Sequence, residues 1–227
     1  MNKIFAVVPV KRFENSKSRL RLLLSKQVRI RLAELLLVDT ISILMKSSTL
    51  DTIVIVSGDD RARSVSDRMG VTFLRQDIDN GVDQAVSAGD DFSNKNGADA
   101  TIVIPHDLPL LLPAQVDMIC RLTKNYEKCL IISPSLRHDG SNILLRKPIN
   151  LIRTHYDDDS YTRHIEEALA VKATVIVVLS DRTTIDMDTR RDVELLLARY
   201  GSIDGAALKF VRKNLGHVVN NDVPSIA

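Results

Sequence analysis

Ile4-Phe5-Ala6-Val7-Val8-Pro9-Val10 is a continuous apolar run, and it stops abruptly at Lys11-Arg12-Phe13-Glu14-Asn15-Ser16-Lys17-Ser18-Arg19-Leu20. A short run without polar alternation is what a strand buried on both faces of a parallel sheet requires. The polar stretch behind it is then the loop at that strand's carboxyl end, the edge at which open α/β sheets bind ligands. The run follows a single lysine, contains a proline and lacks a small-residue cleavage site, so it reads as a first strand and not as a signal peptide.

Outward from that strand, helical and extended patterns alternate. Ser25 is placed to cap a helix from about Lys26 to Lys46, with Ile30, Ala33, Leu36, Leu37, Ile41 and Leu44 at helical spacing. Strands are expected over Thr52 to Val56, Val71 to Leu74, Thr101 to Pro105, Leu130 to Ser133 and Thr174 to Leu179. Asn142 to Arg146, after a turn at Asp139-Gly140, is expected to pair beside the Leu130 strand. Helices are expected from Asp60 to Met69, ended by Gly70, and from Gly81 to about Phe92, with a loop at Asn94 to Gly97. Further helices open at Pro113, at Asp159 or Ser160 (to Ala170), and at Asp188 or Thr189 (to near Gly201). This alternation predicts an α/β fold, a mostly parallel mixed sheet with helices on both faces. One domain is expected over residues 1–201, with a weak helix and loose tail over 202–227.

Composition narrows the class of function. Hydrophobic residues make up 44% and charged residues 26%, the range of a globular chain, and with 4% aromatics and no Trp the core must be aliphatic. A net charge of +2 is too mild to imply a nucleic-acid partner. No apolar stretch approaches the length of a membrane span, so a cytoplasmic protein is expected. Cys120 and Cys129 form no CxxC pair and are expected to be reduced. The basic residues are concentrated: Lys11, Arg12, Lys17, Arg19 and Arg21 stand within eleven positions against one acid, Glu14, which suggests an anionic ligand.

Three stretches carry chemistry. The first loop has no glycine, so phosphate must be gripped by side chains: Lys11, Lys17 and Arg19, with hydroxyls from Ser16 and Ser18. In Ile104-Pro105-His106-Asp107-Leu108-Pro109, prolines fix the backbone around Asp107 at the end of a strand, while His106 reads as a bystander. In Thr184-Ile185-Asp186-Met187-Asp188-Thr189, extended backbone puts Asp186 and Asp188 on one face, where they repel unless a cation neutralises them. Oxygen-only ligands beside phosphates favour Mg2+. Asp188 is also placed to cap the next helix. Asp139 to Asn142 is a turn whose amides and hydroxyl can face an anion, and His155 to Tyr161 leads into a helix N-terminus, another anion site.

Taken together, Pro9-Val10-Lys11, Ser16 to Leu20, Asp107-Leu108-Pro109-Leu110-Leu111, Gly140-Ser141-Asn142 and Asp186-Met187-Asp188-Thr189 resemble the 2-phospho-L-lactate guanylyltransferases of coenzyme F420 biosynthesis in order and spacing, from about residue 4 to 197. The resemblance implies a fold related to the GT-A glycosyltransferases and transfer of GMP from GTP to a small phosphorylated hydroxy acid. It implies that Asp107, Asp186 and Asp188 hold Mg2+ and the substrate phosphates, and that Ser141 and Ser160 hold the acceptor. Three departures bear on the acceptor. The family's Gly-Gly-Thr-Asn is Asp139-Gly140-Ser141-Asn142 here, Gly-Ser-Phe is Asp159-Ser160-Tyr161, and Gly-Leu-Asn is Gly81-Val82-Asp83, which places Asp83 at the nucleotide. The acceptor itself, 2-phospholactate, phosphoenolpyruvate or phosphoglycerate, stays open, as does a homodimer. So do another nucleotidyltransferase or glycosyltransferase of the same fold and a non-catalytic nucleotide-binding protein.

Overall fold

Period-two burial in the first strand sets the layers of the molecule. The computed structural model describes residues 2–76, 81–156, 159–200 and 202–220, the last four in backbone only. In β1 (Ile4–Val10), Ile4, Ala6, Val8 and Val10 enter one apolar core and Phe5 and Val7 enter another. The first core is covered by α1 (Lys26–Leu44), α2 (Asp60–Met69) and α4 (Pro113–Leu122). The second is covered by α3 (Val82–Lys95) and α5 (Ser160–Ala170). Gly89 lets α3 lie this close to the sheet, because a Cβ there would sit 2.5 Å from Val7 Cγ1.

The sheet continues through β2 (Thr52–Ser57), β3 (Thr72–Arg75), β4 (Ala100–Val103), β5 (Cys129–Pro134), β6 (Ser141–Lys147) and β7 (Thr174–Val177). Its order is β3-β2-β1-β4-β6-β5-β7. Every described pair is parallel except those of β6, which runs against both β4 and β5. A short turn joins β5 to β6, and a hairpin partner must be antiparallel. The expected mixed sheet is therefore present, with one strand inserted between β4 and β5 and not merely beside β5. This insertion positions the site: in register with Val103↔Leu144, the first residues of β6 lie beyond the carboxyl end of β4.

Helix limits follow the expected signals. Ser25 Oγ accepts from Val28 N at 3.4 Å, and Gly70 ends α2 in the left-handed region (φ 69°). α3 runs to Lys95, through part of the expected loop, and a short α6 (Asp181–Thr184) follows β7 without having been anticipated. The two cysteines are free and buried. No helix among the described residues is long and apolar enough to cross a membrane.

The segment read as a weak helix is a fifteen-residue α8 (Ala206–Asn220). Its Ala207, Leu208, Val211 and Leu215 are buried with Leu32 and Leu36 of α1 and with Val193 and Leu196 of α7 (Arg190–Tyr200). The expected tail from residue 221 onward lies outside the described residues. α1 is thus apolar on two faces, one toward the sheet and one toward this third core. Leu20, Leu110, Ile185 and Met187 are buried in the same core. Those four residues belong to the three loops that carry the charged residues.

Candidate active site

The basic loop is shaped from its two ends. Phe13 and Leu20 are fully buried, and each sits in a 3-10 turn, Phe13–Asn15 and Ser18–Leu20. Lys17 joins the turns with φ 53°, a left-handed conformation uncommon for a residue with a Cβ. Its side chain is almost entirely buried, with Nζ 2.8 Å from Asp107 Oδ2 and 3.9 Å from Asp188 Oδ1. Arg19 is exposed and places Nη1 2.7 Å from Asp188 Oδ2. On the far side, Met187 N donates to Asp107 O at 2.9 Å, which laces the Asp186-Met187-Asp188 stretch to the end of β4. Ile185 and Met187 point into the third core, so Asp186 and Asp188 share the opposite face, as their spacing predicts.

Lys17, Arg19, Asp107, Asp186 and Asp188 therefore meet in one cleft of about 470 Å³. Lys11, Ser16 and Ser18 also line it. Burial pushes the Asp107 carboxyl up, but the Lys17 ammonium, with His106 nearby, outweighs this and holds it below the usual carboxylate range. Among the described residues Asp186 has no such ion pair. Burial and the carboxylates of Asp107, Asp192 and Asp188 push it up to about 7 against the weaker pull of Lys17. Burial likewise pushes His106 down to about 4, so it is neutral at physiological pH. Among the described residues no three His, Cys, Asp or Glu side chains are grouped as a metal ion needs, and the Lys17 ammonium stands between Asp107 and Asp188.

Asp188 does not cap α7. Thr189 and Asp192 do so reciprocally: Asp192 Oδ2 accepts from Thr189 N at 2.6 Å, and Thr189 Oγ1 accepts from Asp192 N at 3.3 Å. That leaves the Asp188 carboxylate for Lys17 and Arg19.

The other wall comes from the start of β6 and the start of α5. Ser160 Oγ accepts from Ser141 N at 2.8 Å, and the two hydroxyl oxygens are 3.2 Å apart. Asn142 Nδ2 donates to the Thr183 and Thr184 carbonyls at 3.1 and 3.0 Å, tying β6 to α6. Asp159 is exposed and accepts from Thr162 Oγ1 at 2.9 Å, so its charge turns away from the cleft, while Asp157 and Asp158 lie outside the described residues.

Asp83 is not brought to this cleft. Its carboxylate accepts from Tyr156 N at 3.1 and 3.2 Å, and it lines a larger cavity of about 800 Å³ between α3 and α5. The larger cavity carries little free chemistry: its buried Asp90 is paired with Arg146 at 2.8 Å and its His155 with Glu167 at 2.5 Å. Sequence reasoning missed Arg137, which lines the smaller cleft, pairs with Asp139 at 3.4 Å and feels Asp186 and Asp192. Its signal was position, two residues before the Asp139-Gly140 turn. It also missed Asp192, whose only sequence signal is a spacing of three from Thr189.

Comparison with known proteins follows the same line. The family model described as guanylyl transferase CofC like matches residues 4–225. A phosphoenolpyruvate guanylyltransferase from Conexibacter woesei is 30% identical over 205 residues, 89% of this chain and 91% of the relative. A 2-phospho-L-lactate guanylyltransferase from Methanobrevibacter ruminantium is 29% identical over 214 residues, 89% of this chain and 88% of the relative. Among solved structures, one from Desulfovibrio desulfuricans described as a nucleotide-diphospho-sugar transferase superposes with a TM-score of 0.79 at 16% identity, covering 99% of this chain and all of that one. A nucleotidyl transferase from Methanothermobacter gives 0.59 at 16% identity, covering 94% of this chain and 100% of that one. These structural likenesses carry the fold alone.

Proposed function

This chain belongs to the CofC-like guanylyl transferase family, and from that premise we propose that it transfers GMP from GTP to the phosphate of a small phosphorylated acid, 2-phospho-L-lactate or phosphoenolpyruvate. In this reaction an acceptor phosphate oxygen forms a bond to the α-phosphorus of GTP, the bond to the β-phosphate oxygen breaks, and pyrophosphate leaves. The observation that carries the reading is the meeting of buried Lys17 and exposed Arg19 with Asp107 and Asp188 in one cleft.

The acceptor needs no general base, because the second pKa of a phosphate monoester is roughly 6 and the nucleophile is already ionised at neutral pH. What the reaction needs is neutralisation and alignment of two polyanions. Lys17 and Arg19, with Lys11 and the hydroxyls of Ser16 and Ser18, would receive the triphosphate and stabilise the departing pyrophosphate. Ser141 and Ser160 would hold the acceptor on the opposite wall.

The donor chemistry fits Mg2+. The carboxylates are hard oxygen ligands, and the raised Asp186 carboxyl marks a place where negative charge is under-compensated. Asp186 and Asp188 would hold the ion, while Asp107 stays paired with Lys17 beside it. When bound it would supply Lewis-acid neutralisation of phosphate oxygens, and the ion usually takes one or two carboxylates and completes its shell from substrate phosphate and water.

The test is pyrophosphate release from GTP and Mg2+ with 2-phospholactate, phosphoenolpyruvate and phosphoglycerate in turn. Release dependent on one of these acids, with the guanylylated acid as second product, is expected. Release driven only by sugar phosphates, or none with any acid, would overturn the reading.

A further inference from the structure

The Ser141 and Ser160 hydroxyls are not free to choose their polarity, and the reason lies one layer below the cleft. His164 stands one helical turn after Ser160 in α5 and is fully buried. Its Nε2 accepts from the backbone N–H of His155 at 2.8 Å. A backbone amide can only donate, so Nε2 must carry the lone pair, and the proton of a neutral ring must be on Nδ1. Nδ1 is 2.9 Å from Ser141 Oγ and therefore donates to it. Ser160 Oγ already accepts from Ser141 N at 2.8 Å and is 3.2 Å from Ser141 Oγ. The pair owns two hydroxyl protons, and one is used between the oxygens. With His164 filling an acceptor position, the other proton has no partner among the described residues and is left for the cleft that both serines line.

We infer that His164 is a positioning residue that holds the Ser141–Ser160 pair as a hydroxyl donor toward an anionic oxygen of the acceptor. The inference rests on the guanylyl-transfer reading for the identity of the acceptor, but not for the tautomer. The opposite tautomer would reverse the pair: Ser141 would donate to the ring and the pair would present a lone pair, which repels a carboxylate or phosphate. The His155 amide forbids that arrangement. Burial, Arg146 and His155 together push His164 down to about 3, so the ring stays neutral through the physiological range and the pair keeps its polarity.

Two measurements on the full chain test this. In nitrogen-15 histidine spectra, assigned by loss of the signal in His164→Asn, the ring should be neutral with Nδ1 protonated at pH 7–8. An Nε2-protonated or cationic ring would overturn the inference whatever the enzyme's substrate. In kinetics, His164→Ala should raise the KM for the acceptor about ten- to hundredfold, the range of one hydrogen bond to a charged group, and leave the KM for GTP within about twofold. His164→Asn, whose amide nitrogen can occupy the Nδ1 position, should recover most of that loss and also serves if the alanine variant does not fold. In a Ser141→Ala background the His164 substitution should add nothing. An unchanged acceptor KM, an equal effect on GTP, or full additivity in the double variant would overturn it. Absence of acceptor-dependent turnover in the unaltered protein would instead overturn the proposed function, leaving the spectra to decide the tautomer.

Discussion

Burial and the carboxylates of Asp107, Asp192 and Asp188 push the Asp186 carboxyl up to about 7, and this single group ties stability to the chemistry. In the unfolded chain the same carboxyl titrates near 3.8. Between those values the folded state holds the proton more tightly, so the contribution to stability is full below about pH 4 and is lost as pH rises through 7. Asp186→Asn should therefore raise the metal-free stability at pH 8, by up to about 4 kcal/mol at about 1.4 kcal/mol per unit of pKa, and change it little at pH 4. Thermal melts at the two pH values check this, and an equal effect at both would contradict it. At this scale the sequence was legible where a residue's place follows from strand ends. Lys17, Arg19, Asp107, Asp186 and Asp188 each sit just past an extended stretch or on a period-two face. Asp83 and His164 were not legible. Asp83 opens a helix, and its direction there depends on where the Tyr156 amide lies. His164 gains meaning only when the start of β6 is folded against α5.

Elements show a similar division. Apolar periodicity and caps located the strands and all but one of the helices, because those signals are local. The insertion of β6 between β4 and β5 was not readable, since pairing with β4 is a long-range choice that no local pattern encodes. α8 was underrated for a related reason. Its apolar residues meet a second apolar face of α1, and sequence alone assigns that helix to the sheet. The third core buries Leu20, Leu110, Ile185 and Met187 beside Leu208, so α8 supports the loops that carry the charged residues. Leu208→Ala should cost about 2–5 kcal/mol, the usual range for a buried leucine, as measured by denaturant unfolding. A loss below about 0.5 kcal/mol would show that α8 does not share the core.

For the molecule as a whole, a net charge of +2 spread over 227 residues gives little long-range field, so recognition of two polyanions has to be local. The fold provides this by bringing the carboxyl ends of β1 and β4, the start of β6 and the stretch after α6 to one edge, with cations on the first loop and carboxylates after β4 and α6. The Asp188→Asn variant tests that arrangement most directly, because Asp188 touches both Lys17 and Arg19 and caps nothing. Turnover of GTP with the preferred acceptor should fall at least about a hundredfold while the fold, followed by circular dichroism, persists. Turnover equal to that of the unaltered protein would contradict the account.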